Sequence, residues 1–290
     1  MNTLLDALWT HPSVFTGTMA LLGLLVGSFL NVVVARLPRM MEAAWRQDCA
    51  AVTGHPTEAA SAKFNLVTPR SRCPHCDASI HPFDNIPVLS WLLLRGKCRA
   101  CRARIGWRYP LIELAASGLA CLAAARFGPG VAAVAAAGLC WTLLALAAID
   151  LDTMLLPDDL TLPLLWAGLV FNLNAVFVPL DAAVVGALAG YLGLWSVYWG
   201  FKLATGKEGM GHGDFKLLSA LGAWLGWQAL PTVVLAAAGV GALVGLSLIA
   251  AKRLGRNKPI PFGPFLAAAG VLNLLWGQNF QQWFLPGGLP

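Results

Sequence analysis

The chain has 290 residues, of which 58% are hydrophobic and only 12% charged, and its mean hydropathy is +0.67. A soluble domain carries about 25% charged residues, so an ordinary water-soluble fold is excluded. The net charge of +6 does not signal nucleic acid, because 12 of the 20 Lys and Arg residues lie between Arg36 and Arg108 and most of the rest fall in short loops, where basic residues set membrane orientation. Membrane lipid is the expected surrounding, and no nucleic-acid partner is expected.

A membrane-crossing helix needs about 20 mostly apolar residues. Val14–Ala35 is the first such run. The 13 residues before it contain no Lys or Arg and include Asp6, unlike the basic start of a secretory signal, and no small-residue cleavage site is evident. The run is therefore read as a retained span. Residues 37–108 then break the pattern: they are polar, basic and rich in Pro and Cys, as a small extramembrane domain would be. Apolar runs resume at Tyr109–Ala125, Ala132–Ile149, Leu160–Val178, Ala182–Leu203, the shorter Phe215–Gln228, Pro231–Ala251 and Phe262–Phe284. The expectation is an all-α polytopic membrane protein of about eight transmembrane helices. Its parts are a first span (1–36), a cytoplasmic metal-binding domain (37–108) and a transmembrane core (109–290). Gly222, Gly226, Gly239, Gly241 and Gly245 lie in the later spans, where small residues either allow close helix packing or are merely tolerated.

The concentration of basic residues makes 37–108 cytoplasmic by the positive-inside rule. With eight spans, both termini would lie outside and loops 150–159, 204–214 and 252–261 would be cytoplasmic. Lys207, Lys252, Arg253, Arg256 and Lys258 fall in the last two of these loops. Arg126 is the exception among the outside loops.

Within 37–108, Cys73-Pro-His-Cys76 and Cys98-Arg-Ala-Cys101 form two C-x-x-C knuckles. Two such knuckles can arrange four thiolates tetrahedrally around zinc. A reducing cytoplasm argues against disulfides, and flanking Arg72, Lys97, Arg99 and Arg102 favour thiolates. Four protein ligands leave no open position, so the metal is expected to be structural and to support a segment too small for a large core. His75 is expected to face solvent. Cys49, Cys121 and Cys140 match no ligand spacing; Cys121 and Cys140 read as small packing residues.

Carboxylates at membrane spans are costly and usually functional. They gather in two places: Asp150 and Asp152, followed by Asp158 and Asp159, and then Asp214 in Gly211-His-Gly213-Asp214. In the eight-span topology Asp150 ends the third span and Asp214 begins the sixth, so both reach one face. Two carboxyl groups that close share a proton. One can then activate water while the other polarises a carbonyl. The neighbouring glycines would admit an extended backbone. Asp158, Asp159 and Asp181 read instead as helix N-terminal residues. On spacing alone, Asp152 competes with Asp150 for the first catalytic position.

Gly211-His-Gly213-Asp214 matches the GxGD pattern of intramembrane aspartic proteases. The longer run from Lys207 to Lys216 resembles the bacterial type IV prepilin leader peptidases. So do Gly27-Ser-Phe-Leu-Asn-Val-Val-Val34, Tyr109-Pro-Leu-Ile-Glu-Leu114, Ile149-Asp-Leu-Asp152 with Leu156-Pro157-Asp158, and Pro261-Phe-Gly-Pro264. The resemblance covers nearly the whole chain. It implies an inner-membrane enzyme that removes a short basic leader from prepilins and type II secretion pseudopilins, after a Gly, at the cytoplasmic face. It also implies methylation of the new amino terminus, usually Phe, from S-adenosylmethionine, since the four cysteines mark the bifunctional members. In that family the earlier Asp of the Asp-x-Asp pair is catalytic, which favours Asp150, with Asp214 as its partner. No Gly-rich fingerprint follows a strand, so no residue is assigned to the methyl donor. A proton-coupled transporter is the alternative for paired membrane carboxylates, although the inverted repeats common in transporters are not evident here.

Overall fold

The computed structural model describes residues 11–54, 64–207, 209–251 and 260–284, with the side chains of 82 and 278–284 left aside. Asp6, Lys252, Arg253, Arg256 and Lys258 lie outside the described residues. Among the described residues the chain is all-α, with isolated bridges in place of sheets. It divides into two compact units, Met1–Ala125 and Arg126–Pro290.

In the first unit, α1 (Pro12–Thr53) starts with Pro at its first turn and ends at Gly54, whose φ of +66° suits glycine. Its 42 residues span about 63 Å at 1.5 Å per residue, roughly twice a bilayer core. The apolar, buried part stops at Leu37, and Arg39, Glu42, Arg46 and Asp48 follow, so the helix continues well past its lipid-facing half. After α2 (Leu89–Leu93) comes α3 (Arg108–Phe127). Helix α1 meets α3 through Gly23 and Gly27: a Cβ on either would lie 2.6 Å from the Cα of Ser117 or Glu113. Glycines four apart let the backbones touch where lipid supplies no hydrophobic drive. Hydrogen bonds from Ser117 Oγ to Ala20 O (2.9 Å) and from Asn31 Nδ2 to Tyr109 O (3.1 Å) fix the register.

The second unit contains α4 (Val131–Thr153), α5 (Asp158–Asn172), α6 (Leu180–Thr205), α7 (His212–Leu225), α8 (Leu230–Ala250) and α9 (Gly263–Phe284). Its centre is α7. Every residue from Phe215 to Trp224 except Lys216 is buried, and α5, α6, α8 and α9 all pack on it. Gly186 and Gly190 of α6 meet α7 backbone at Gly222 and Leu218 with no room for a Cβ. Gly239, by contrast, has open space around it, so the later glycines divide between packing and tolerance. Asn172, wholly buried at the end of α5, donates to the carbonyls of Ala223 (2.9 Å) and Trp224 (3.2 Å) and accepts from the amides of Phe177 (3.0 Å) and Val178 (3.2 Å). It thereby satisfies the end of α7 and the turn after α5 together.

The expected eight spans are corrected to five. Among the described residues, only Pro12–Thr53, Arg108–Phe127, Val131–Thr153, Leu180–Thr205 and Trp227–Ala250 are long and apolar enough to cross a membrane. The run at 160–178 folds as the 15-residue α5 and that at 215–228 as the 14-residue α7, each about 21–23 Å long against a hydrocarbon core of about 30 Å. A helix enclosed by other helices must be apolar without being long, and α7 is that case. The apolar part of α9 is described as the shorter Gly263–Gly277. Loop orientation counted from eight spans therefore falls away. Asp158, Asp159 and Asp181 lie in the first turns of α5 and α6, while Pro157 and Pro179 hold the capping positions. These carboxylates suit the helix dipole rather than cap orphan amides.

Candidate active site and metal centre

Asp150 lies in the last turn of α4 and Asp214 in the first turn of α7. They are the two buried carboxylates among the described residues of the second unit, 5% and 7% exposed, whereas Asp152, Asp158 and Asp159 are exposed. Packing joins the two elements into one site. Leu156, in the linker to α5, fills the space beside both Gly213 and Gly263; a Cβ on Gly213 would lie 2.8 Å from the Leu156 Cβ. Gly263 opens α9, and its amide, an orphan donor of that first turn, donates to Asp150 Oδ2 at 2.9 Å. A Cβ there would approach the same oxygen to 2.6 Å. Burial, and after it the charge of Asp150, disfavour ionisation of Asp214.

The glycines before Asp214 have separate roles. Gly209 makes room for the Phe201 ring and Gly213 for Leu156, while Gly211 alone borders the carboxylate, its would-be Cβ 3.6 Å from Asp214 Oδ2. Gly211 is exposed, so it leaves an opening beside a buried carboxyl. His212 packs against the rings of Tyr198 (5.1 Å) and Phe215 (5.4 Å). Two residues after Asp214, Lys216 Nζ binds both oxygens of Asp158 at 2.6 and 2.7 Å, tying the second turn of α7 to the first turn of α5. Gly263, Leu156 and this pair were absent from the sequence-derived site. In the sequence, Pro261-Phe-Gly-Pro264 and Leu156-Pro157 carry only the resemblance, and the packing gives them a task.

In the first unit the four cysteines converge. The sulfur atoms of Cys73, Cys76, Cys98 and Cys101 all lie within 4.8 Å of one another, with Cys73 and Cys101 3.8 Å apart. Zn–S bonds of about 2.3 Å in a tetrahedron require S···S distances of about 3.8 Å, so the set fits a metal ion. Both knuckles fold alike. In the first, the amide of Cys73 donates to Ala78 O, that of Asp77 to Cys73 O and that of Ile80 to Ser71 O. In the second, Cys98 donates to Ala103 O, Arg102 to Cys98 O and Ile105 to Gly96 O. Asp77 and Arg102 both take positive φ, 55° and 60°. The cause lies in the sequence: Arg-Cys-Pro-His-Cys-Asp-Ala-Ser-Ile80 and Lys-Cys-Arg-Ala-Cys-Arg-Ala-Arg-Ile105 are one nine-residue pattern used twice.

The amides of His75 and Cys76 hold the Cys73 thiol down to about 6. The Cys76 thiol receives the Ala78 amide, yet the neighbouring Cys101 and Cys73 sulfurs push it up to about 11. Thiolates crowded this closely repel one another, and a divalent cation relieves that. His75 is exposed, in keeping with four sulfur ligands. Cys140 is buried in α4 and Cys121 half-buried in α3, while Cys49 is exposed on α1.

Residues 21–127 match the Bacterial Peptidase A24 N-terminal domain and residues 137–246 the Type IV leader peptidase family. Three relatives, each named prepilin leader peptidase/N-methyltransferase, align over most of their length. The Aeromonas hydrophila protein is 53% identical over 286 residues, 98% of this chain and 99% of its own. The Burkholderia pseudomallei (strain 1026b) protein is 58% identical over 269 residues, 92% and 86%. The Pseudomonas aeruginosa protein is 52% identical over 282 residues, 97% of each chain. No solved structure matches the chain. Matched in both of its units, and along nearly its whole length by these relatives, the chain belongs to the bacterial type IV leader peptidase family.

Proposed function

We propose that this chain cleaves the short basic leader from type IV prepilins and pseudopilins with Asp150 and Asp214 as its catalytic dyad, and then methylates the new amino terminus. The observation that carries the dyad is the meeting of these two buried carboxylates, from separate helices, beside the opening left by Gly211. The relatives' names carry the pairing of peptidase with N-methyltransferase. A proton-coupled transporter would also use paired carboxylates, but nothing in the family points to transport.

The dyad carries one proton between two groups in this reading, because burial and the Asp150 charge both disfavour a second charge on Asp214. Its negative charge has a fixed donor in the Gly263 amide. The ionised member takes a proton from water, and the protonated one hydrogen-bonds the scissile carbonyl. Water oxygen adds to the carbonyl carbon, and the proton passes to the departing amine as the C–N bond breaks. Gly211 gives an extended substrate backbone access to the carboxylates. The site faces the cytoplasm of the bacterial inner membrane in this reading, the side favoured by the basic residues of 37–108.

Zinc is the metal proposed for Cys73, Cys76, Cys98 and Cys101, in a structural role within 37–108. With all four positions filled by sulfur it offers no site for substrate. The peptidase core is assigned to 109–290. S-adenosylmethionine, when bound, supplies an electrophilic methyl group on a sulfonium.

Mass spectrometry of a co-expressed prepilin's mature amino terminus tests both halves together. Leader loss and an added methyl are expected with the native enzyme, and neither with Asp150→Asn or Asp214→Asn. Persistence of cleavage in either variant would remove that residue from the dyad.

A further inference from the structure

We infer that α2 is an interfacial anchor, whose exposed face of Leu89, Leu92 and Leu93 sits among anionic phospholipids in the headgroup layer of the membrane that α1 and α3 cross. The three side chains are 50%, 58% and 74% exposed, and they recur at the i, i+3, i+4 spacing that puts them on one side of a helix. Leucines turned outward from so charged a segment call for an apolar partner. The other side of α2 is already filled. Trp91 Nε1 donates to Ile105 O at 3.2 Å, the Trp107 ring packs on the indole at 4.3 Å, and Gly96 leaves room for it.

Contacts within the first unit set the depth of α2. Glu113, in the second turn of the membrane-crossing α3, accepts the Val88 amide at 2.7 Å. The Glu113 backbone itself packs on Gly27 of α1. Arg36 is the first charged residue of α1, and it lies about 13 Å beyond Gly27 at 1.5 Å per residue. The start of α2 therefore stands beside apolar helix, on the membrane side of that first charge. Trp91, by contrast, bonds Ile105, which precedes α3. Helix α2 thus leaves the membrane side and rises to the surface within its own length. Interfacial helices sit about 5–10 Å into the boundary between headgroups and acyl chains.

Backbone that enters this layer must satisfy its own polar groups. The amides of Leu89, Ser90, Leu92, Leu94 and Arg95 all find carbonyls within 86–94, and Glu113 takes that of Val88. This gives a buried carboxylate on α3 a task outside catalysis. The flanks suit a headgroup layer as well. Trp107 and Tyr109, both exposed at the start of α3, are the residue types enriched at membrane surfaces. Arg95 and Lys97 are exposed just after α2 and make no ion pair among the described residues, which suits anionic lipid. A second copy of the chain or a soluble partner could cover three leucines, but neither accounts for their depth. Gly96 also belongs to the second cysteine knuckle, through its bond from the Ile105 amide. The anchor therefore holds the cysteine module against the membrane, where two connections to α1 and α3 alone would let it swing.

Photocrosslinking on the full chain tests this, in vesicles of phosphatidylethanolamine with a minority of phosphatidylglycerol. Benzoylphenylalanine in place of Leu93 should add the mass of one phospholipid, in a yield close to that of the same probe in place of Leu111, which is exposed on α3. In place of Trp45, exposed on α1 well beyond Arg36, it should yield about tenfold less, since it lies outside the boundary layer. A probe in place of Leu92 repeats the measurement, and an unchanged melting curve certifies the fold of each form. Phosphatidylglycerol should exceed its share of the vesicle among the adducts, and Arg95→Gln with Lys97→Gln should abolish that excess while leaving the adducts. Yields at Leu92 and Leu93 no higher than at Trp45 would overturn the anchor, as would adducts to protein in place of lipid. Phospholipid adducts with no excess of phosphatidylglycerol would overturn the anionic preference.

Discussion

The two proposed centres of this protein, the cysteine set and the carboxylate pair, are assembled in opposite ways. The metal centre is built from two copies of a nine-residue turn, each closed by its own three backbone hydrogen bonds, so nearly all its geometry is local. The carboxylate pair has no such module. Asp150 and Asp214 come from the end of one helix and the start of another, and meet because Leu156 wedges against Gly213 and Gly263. A local site tolerates change elsewhere in the fold, whereas a non-local one depends on helix packing at several remote points. Perturbing each centre should therefore have different reach.

The largest effect is expected at the dyad. Asp150→Asn and Asp214→Asn keep shape and remove the titratable group, and each should lower leader cleavage by about 10³-fold or more, since groups acting as a unit fail together. Asp152→Asn should leave most activity, as its side chain is exposed. Initial rates on a purified prepilin decide the matter; loss with Asp152→Asn and survival with Asp150→Asn would reverse the assignment within the pair.

Next comes a substitution that touches no titratable group. Gly263→Ala would set a methyl 2.6 Å from Asp150 Oδ2, so helix α9 or the carboxylate must shift. Overpacking of this kind costs about 1–3 kcal/mol, and cleavage should fall by about 10- to 100-fold. Gly211→Ala meets only an ordinary contact at 3.6 Å. It should leave thermal stability unchanged and act on KM, through the opening beside the dyad. Melting curves set beside kinetics would separate the two glycines.

The metal centre should respond more locally. Cys98→Ser should lower zinc from about one per chain and expose 64–107 to proteolysis, because metal and local folding are linked. The second unit has its own buried core around α7 and should stay protease-resistant. Elemental analysis with limited proteolysis would show this; collapse of both units together would contradict the local reading.

The same contrast governs what the sequence could disclose. Four cysteines in two C-x-x-C pairs announce their ligand set without any fold, and the repeated nonapeptide, open to inspection in 72–80 and 97–105, would have disclosed the shared turn as well. Asp150 and Asp214 stand out in the sequence because carboxylates are rare in so apolar a chain. The helices around them were legible only as apolar runs. Hydropathy does not distinguish a side chain facing lipid from one facing another helix, which is why the enclosed α7 and the short α5 were counted as spans. Asn172 and Gly263 carry no signal of their own: an amide in a turn and a glycine between prolines acquire meaning only from the partners that packing brings to them.

The smallest effect is expected at Asp158 and Lys216, although their contact is short and two-pronged. The side chains are 51% and 30% exposed, and ion pairs so open to water contribute about 0–1 kcal/mol. The pair ties the first turn of α5 to the second turn of α7, stretches that flank Leu156 and Asp214, so its loss should loosen the dyad rather than dismantle it. Asp158→Ala should keep cleavage within about threefold of native, with the change in kcat and little in KM. A double-mutant cycle with Lys216→Met would measure the coupling. A coupling above about 2 kcal/mol, or cleavage abolished by Asp158→Ala, would mean that this surface pair governs the dyad's geometry, and the non-local site would then hang on one contact instead of many.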